Sequence, residues 1–277
     1  MDPFQTILCP VDFSVISAHA LRFAGTIAGG TKARTIAAYA NWFEAPPYFT
    51  AGRIAAIKAE IEQSSQFARE SLGSFVQKTL GERRVAMELR VVDALPVDGI
   101  LRLIGETGAD LVAMGTHGRS GIQKWMLGSV AERVIRESPV PVLTVRDAPP
   151  ETLRNVLCPV DDTEVSRRAL AMASALSSCF GAGLTVMHVQ EAATPHPVAD
   201  LCAWIPQAER ARCSIREISR TGEAAEEILR VAGKEPPDLL VMGAPRRRFF
   251  EGMVLGATTV RTVRHAPCPV LTVPAEL

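Results

Sequence analysis

The sequence predicts an α/β protein made of two similar, doubly wound domains. Three observations carry this expectation: short apolar runs alternate with helix-period segments, the chain repeats itself in collinear order, and a proline-containing linker separates the copies. In the first copy Thr6–Cys9, Thr35–Tyr39, Met87–Val92, Leu111–Met114 and Val142–Val145 read as strands, being short apolar runs bounded by turn residues. Leu21, Ala24, Ile27 and Ala28 mark one helix face after the first strand. Positions 54, 57, 61, 64, 68, 72 and 75 give a long helix with a narrow apolar stripe. Ile100, Leu101 and Ile104 mark a third helix, and Val130–Glu137 a fourth. Such alternation implies parallel strands joined by right-handed crossovers, with helices on both faces of each sheet. Ligands then bind outside the carboxyl ends of the strands, where the winding reverses, so the segments after Pro10, Tyr39 and Met114 are the places to look for a site.

The repeat is explicit. Thr6-Ile-Leu-Cys-Pro-Val-Asp12 returns as Asn155-Val-Leu-Cys-Pro-Val-Asp161, Asp110-Leu-Val-Ala-Met-Gly115 as Asp238-Leu-Leu-Val-Met-Gly243, and Pro141-Val-Leu-Thr-Val145 as Pro269-Val-Leu-Thr-Val273. The spacing shortens after the first match, so the second copy lacks most of the long helix between its second and third strands. Asp147-Ala-Pro-Pro-Glu-Thr152 is the linker, because paired prolines end a strand. The domains are therefore expected at residues 1–148 and 152–277.

Composition narrows the classes of function. Across 277 residues, 30 Lys+Arg balance 30 Asp+Glu, which gives no general field for nucleic acid or an acidic membrane surface. The N-terminus has no basic region followed by an apolar stretch, and no apolar run reaches the roughly 18–20 residues of a membrane span. The six cysteines are scattered, Cys9 and Cys158 within apolar strands, which suits buried thiols in a reducing, cytoplasmic setting. His188, His196, Cys202 and Cys213 are too irregularly spaced to read as a metal site.

One loop carries chemistry. Gly115-Thr-His-Gly118-Arg-Ser-Gly-Ile-Gln-Lys-Trp-Met-Leu-Gly128-Ser129 has the spacing G-x2-G-x9-G-S. Glycines let backbone approach an oligophosphate and expose N–H groups, and Ser129 opens a helix whose N-terminus favours anions. Arg119 and Lys124 would add positive charge. The same residues also suit a plain glycine-rich turn with a serine N-cap.

This loop, together with Pro10-Val11-Asp12 at the end of the first strand and the closing Pro-Val-Leu-Thr-Val, resembles the universal stress protein family, and does so twice along the chain. The resemblance implies two Rossmann-like domains, each a five-stranded parallel sheet. It also implies that the first copy is of the type that binds ATP or AMP, since that type keeps this loop. Carried over by position, Pro10, Val11 and Asp12 would meet base and ribose, and Ala40 would lie beside the adenine. Met114, Gly115, Gly118, Gly128, Ser129 and Val130 would hold ribose and phosphates. His117 and Arg119 would line the outer side of the loop as contacts. ATP, or AMP or ADP, is the expected cofactor, with Mg²⁺ carried by the phosphates. The family's last strand commonly mediates dimers, which implies an internal pseudo-dimer here. A homodimer of chains through the long helix stays open beside packing of its stripe within the first copy.

The second copy keeps the spacing but not the chemistry: Arg246 stands for the second glycine, Ala257 for the serine, and Pro245 removes an N–H. Ala94 stands where the second copy has Gly222, so the turns after the third strands are expected to differ. There is no G-x4-G-K-[ST], and no G-x-G-x-x-G after the first strand, which excludes Walker-type NTPases and dinucleotide oxidoreductases. Without an evident base or nucleophile, the expectation is an ATP-binding stress-response or regulatory module with at most slow hydrolysis. An interaction scaffold, with structural nucleotide or none, is the alternative, and an ATP-consuming enzyme of the same fold is the third reading.

Overall fold

The computed structural model describes residues 3–42, 51–81, 86–118, 127–190, 201–249 and 252–275, with backbone alone at 51–59, 246–249 and 252–254. The first repeat runs β1 (Thr6–Pro10), α1 (Val15–Thr31), β2 (Arg34–Ala40), α2 (Ala51–Leu80), β3 (Met87–Val92), α3 (Pro96–Thr107), β4 (Leu111–Gly115), α4 (Ser129–Glu137) and β5 (Val142–Val145). The second runs β6 (Asn155–Val160), α5 (Glu164–Phe180), β7 (Gly183–Gln190), a 3-10 turn (Leu201–Trp204), α6 (Gln207–Arg210), β8 (Ile215–Thr221), α7 (Ala224–Lys234), β9 (Leu239–Ala244), β10 (Arg246–Phe249), β11 (Gly252–Leu255), α8 (Ala257–His265) and β12 (Val270–Pro274). The turn and the short α6 stand where the first repeat has its 30-residue α2.

Within each repeat the strands of the large sheet pair in parallel, β10 and β11 being a separate antiparallel pair, and side chains alternate between two cores. Ile7 and Cys9 of β1 join the core that includes α1 and α5 residues, while Leu8 joins the one that includes α3 and α7 residues. Both cores run through both repeats. Burial pushes the Cys9 thiol up to about 12 and raises that of Cys158 as well, so both are inert apolar side chains. The recurring aspartate that begins each Asp-Leu motif ties the strand starts together. Asp110 accepts from the N–H groups of Gln5 (2.8 Å) and Thr6 (2.9 Å), and Asp238 from those of Arg154 (2.7 Å) and Asn155 (2.9 Å).

The expected pair of separate five-stranded sheets needs correction. The strands form one ten-stranded sheet, in the order β3-β2-β1-β4-β5-β12-β9-β6-β7-β8. The physical reason is that β5 and β12 would each be a bare edge, and they pair with each other antiparallel, Leu271 opposite Leu143. Two buried threonines reinforce the seam reciprocally: Thr144 Oγ1 donates to the Val270 carbonyl (3.1 Å) and Thr272 Oγ1 to that of Val142 (3.0 Å). Arg146, just beyond β5 and only 8% exposed, donates to the carbonyls of Val263 (3.1 Å) and Arg264 in the last turn of α8. Those carbonyls lack intrahelical partners and lie at the negative end of the helix dipole. Arg264 in turn pairs with Glu132 of α4 at 3.1 Å.

The long helix also resolves in part. Ala68, Leu72, Val76 and Leu80 are buried, and α2 packs on α1, β2 and β3, so the described part of its stripe belongs to the first repeat's core. The side chains at positions 54 and 57 lie outside the described residues.

Because a guanidinium–carbonyl pair is charge-assisted, Arg146→Ala should lower unfolding stability by about 2 kcal/mol. Urea denaturation followed by circular dichroism measures this, and an unchanged midpoint would argue that the contact carries no stability.

Candidate functional site

The first repeat's strand order, β3-β2-β1-β4-β5, reverses its winding between β1 and β4. Chains leaving these two strands at the carboxyl end diverge to opposite faces, which opens a crevice. A cavity of about 390 Å³ occupies it. Pro10, Val11 and Asp12 line it from the end of β1, and Ala40 from the end of β2. Met114, Gly115, His117 and Gly118 come from β4 and the turn after it, and Gly128, Ser129 and Val130 from the start of α4. Of the residues singled out in the loop, Arg119 and Lys124 lie outside the described residues. His117, expected on the loop's outer side, instead lines the cavity.

Asp12 has a structural duty in this crevice. Its Oδ1 accepts from the Ser14 N–H (3.0 Å) and the Ser14 hydroxyl (2.6 Å), while Ser14 Oγ caps α1 by accepting from the Ser17 N–H (3.1 Å). Between them Phe13 takes φ 64°, a left-handed conformation uncommon for a bulky residue. The Phe13 ring is held by Tyr39 (4.7 Å between centroids) and Phe75 (5.5 Å). The strained turn is thereby anchored in the aromatic packing of β2 and α2.

The glycines are explained by close approach. A Cβ at Gly118 would sit 2.5 Å from Asp12 Oδ2, so any side chain there displaces the carboxylate. At Gly128 a Cβ would crowd the Thr116 carbonyl (3.2 Å) and His117 Cα (3.3 Å), and the Gly128 N–H donates to that same carbonyl at 2.7 Å. Gly128, with φ −67° and ψ 149°, is therefore the N-cap of α4, and it provides no capping side chain. Ser129, read as a possible cap, is instead the first helical residue, exposed and free of capping duty. The first-turn N–H groups of α4 have no intrahelical acceptor, and they lie at the positive end of the helix dipole. Such a mouth of N–H groups, a hydroxyl and an imidazole suits an anion, and the apolar wall of Val11, Ala40 and Met114 suits a flat organic group.

Thr116 Oγ1 lies 3.0 Å from His117 Nδ1 and fixes the ring. Burial pushes His117 below the ordinary histidine value, and the charge of Arg146 adds to that, against Asp147 and Asp12. Ser17, Ala38, Tyr39, Pro96 and Ile100 complete the lining. They belong to no motif; Ile100 was legible as a helix-face residue, but its place one turn into α3 is what brings it to the crevice.

A counterpart cavity of about 430 Å³ lies at the matching crevice of the second repeat. The close approach recurs: a Cβ on Gly243 would clash with Val165 as one on Gly115 would with Ile16. Beyond it β10 and β11 pair antiparallel, with Arg246 opposite Leu255. Gly222 takes φ 148° after β8, whereas Ala94 makes no positive-φ turn. Among the described residues no group of three metal-ligating side chains gathers, and His196 lies outside them. No helix among the described residues is long and apolar enough to cross a membrane.

Comparison with known proteins agrees with this layout. The model of the universal stress protein family matches residues 3–146 and again 152–274. A universal stress protein of Methanocaldococcus jannaschii is 30% identical over 143 residues, 52% of this chain and 82% of that protein. One of Mycobacterium tuberculosis is 23% identical over 232 residues, covering 76% of this chain and 74% of its own. The crystal structure of a universal stress protein from Archaeoglobus fulgidus superposes with a TM-score of 0.75 over 97% of this chain and 98% of that one, at 23% identity, and so shares the fold.

An imidazole NMR titration should give His117 a midpoint below that of an ordinary histidine, and Arg146→Ala should move it upward. Since the folded value is depressed, neutral His117 adds stability at pH above the ordinary value, and this is lost as the pH falls through the folded midpoint. A midpoint at or above the ordinary value would contradict this environment.

Proposed function

The chain belongs to the universal stress protein family, and from that premise we propose that its first repeat is an adenine-nucleotide-binding module, with ATP ahead of ADP and AMP. In this reading the second repeat is a built-in partner, so that the two form an internal pseudo-dimer. The carrying observation is that Pro10–Asp12, Ala40, Met114–Gly115, His117–Gly118 and Gly128–Val130, far apart in sequence, line a single crevice at the winding reversal.

The residues fit the nucleotide in kind. Val11, Ala40 and Met114 would flank the base, and Asp12 would accept from the ribose hydroxyls or the base amine. The absence of a Cβ at Gly118 and Gly128 keeps the backbone open where phosphates would approach, and Ser129 with the α4 N–H groups would meet their charge. Mg²⁺ would travel with the phosphates. His117 and Asp12 are the lining groups nearest that position, and Asp12 already holds Ser14, so in this reading the role is regulatory binding in the cytoplasm, as in a stress response, with at most slow hydrolysis.

A second reading, an interaction scaffold, draws on one observation. Among the described residues the exposed large apolar ones, Val15, Trp42, Phe67 and Leu95, belong to the first repeat, and Val15, Trp42 and Leu95 follow the carboxyl ends of β1, β2 and β3. A partner docking there would read the same edge that carries the cavity.

Isothermal titration should find one ATP per chain. Gly118→Arg should weaken it at least about tenfold while the protein still melts as a folded domain, and Ser129→Ala should cost roughly threefold to tenfold. Two equivalent tight sites would contradict the division between repeats, and no binding at millimolar ATP would favour the scaffold.

A further inference from the structure

We propose that the cavity of the second repeat is a separate site for an uncharged nucleoside. The inference rests on reading the first cavity as an adenine-nucleotide site, and it turns on which half of that site the second repeat retains. The half that would face base and ribose survives position by position. Pro159, Val160 and Asp161 repeat Pro10, Val11 and Asp12, while Met242 and Ile228 repeat Met114 and Ile100; all five line the cavity. Of the half that would face phosphate, Gly256 and the start of α8 remain, but two donors are lost. Pro245 lacks the N–H that His117 has, and Ala257, first residue of α8, lacks the hydroxyl of Ser129. In sequence, Arg246 stands where the first repeat has Gly118.

The lining beside the retained half is rich in acceptors. Asp161 Oδ1 takes the hydrogen bonds that hold the start of α5, from the Thr163 N–H (3.1 Å), the Thr163 hydroxyl and the Ser166 hydroxyl (2.6 Å). Oδ2 remains for a donor on a bound molecule. Burial opposes the charge of this carboxylate, yet the Ser166 and Thr163 hydrogen bonds outweigh it and hold Asp161 below the ordinary range. His188, in the place of Tyr39, lies with Nδ1 3.0 Å from the Val160 carbonyl. A carbonyl only accepts, so Nδ1 bears the proton and Nε2 of the neutral ring is an acceptor. Asp162 and Gln190 also line the cavity. An apolar wall ringed by acceptors, with two carboxylates, suits a flat base carrying hydroxyls and an amine. The two carboxylates oppose the further negative charge that a triphosphate brings.

The test uses the full chain labelled with ¹³C at methionine methyls, Met114 and Met242 being assigned through their Met→Leu variants. Each lines one cavity, so the two methyls report separately. Adenosine should shift Met242 saturably, with an affinity at least about tenfold tighter than ATP shows at the same signal. Ala224→Trp, which fills the second cavity from the first turn of α7, should abolish that shift while ATP still moves Met114. The signal of the buried Met187 monitors folding of the second repeat, and Val189→Trp on the β7 wall serves instead should Met187 move. A Met242 methyl indifferent to millimolar adenosine would overturn the proposal, as would ATP moving it as tightly as adenosine. A Met114 methyl indifferent to ATP would instead overturn the reading of the first cavity.

Discussion

The backbone pairing of β5 with β12 is the constraint on which the rest of the molecule depends. Each repeat ends its sheet in a short strand that would otherwise leave a row of unpaired N–H and C=O groups at an edge. Antiparallel pairing of these two strands turns two edges into the centre of one sheet, and the cores on both faces become continuous across it. The threonine pair, Thr144 and Thr272, makes the join nearly two-fold symmetric. Arg146 breaks that symmetry, since the matching position in the second repeat is Pro274, which has no side-chain donor to offer α4. The seam is therefore symmetric in backbone and asymmetric in charge.

On that shared frame the two crevices have diverged in chemistry but not in position. Both sit at the carboxyl ends of their strands, both need a glycine after the fourth strand to let the first helix pack close, and both are edged by an aspartate that also orders a helix start. The first keeps Gly118 and the Ser129 hydroxyl, whereas the second has Arg246 and Ala257 in their places, with Asp162, His188 and Gln190 where the first has Phe13, Tyr39 and Asn41.

Most of the frame was legible in the sequence, because buried parallel strands write themselves as apolar runs and a duplicated chain writes them twice. The crevice was legible as well, since glycines at fixed spacing mark where backbone must come close. The join between repeats was expected only through the family resemblance of the last strands, and its register was not legible. Strand pairing leaves no periodic trace, and Thr144 reads in sequence as one more β-branched residue. Nor did sequence reveal that Gly128 rather than Ser129 caps α4, which depends on a contact with Thr116 made only after folding. Tyr39 and Phe13 escaped notice for a related reason: their roles come from the left-handed turn at Phe13, a conformation no motif announces.

The linker after Arg146 has a consequence beyond joining two domains. Two separate chains meeting through such a short antiparallel edge would come apart on dilution, and their pairing would follow how much protein the cell holds. A tether of a few residues between β5 and β6 sets the local concentration of one half around the other on the order of millimolar, whatever the cellular supply. Assembly of the two halves is thereby removed from the list of things that abundance can control.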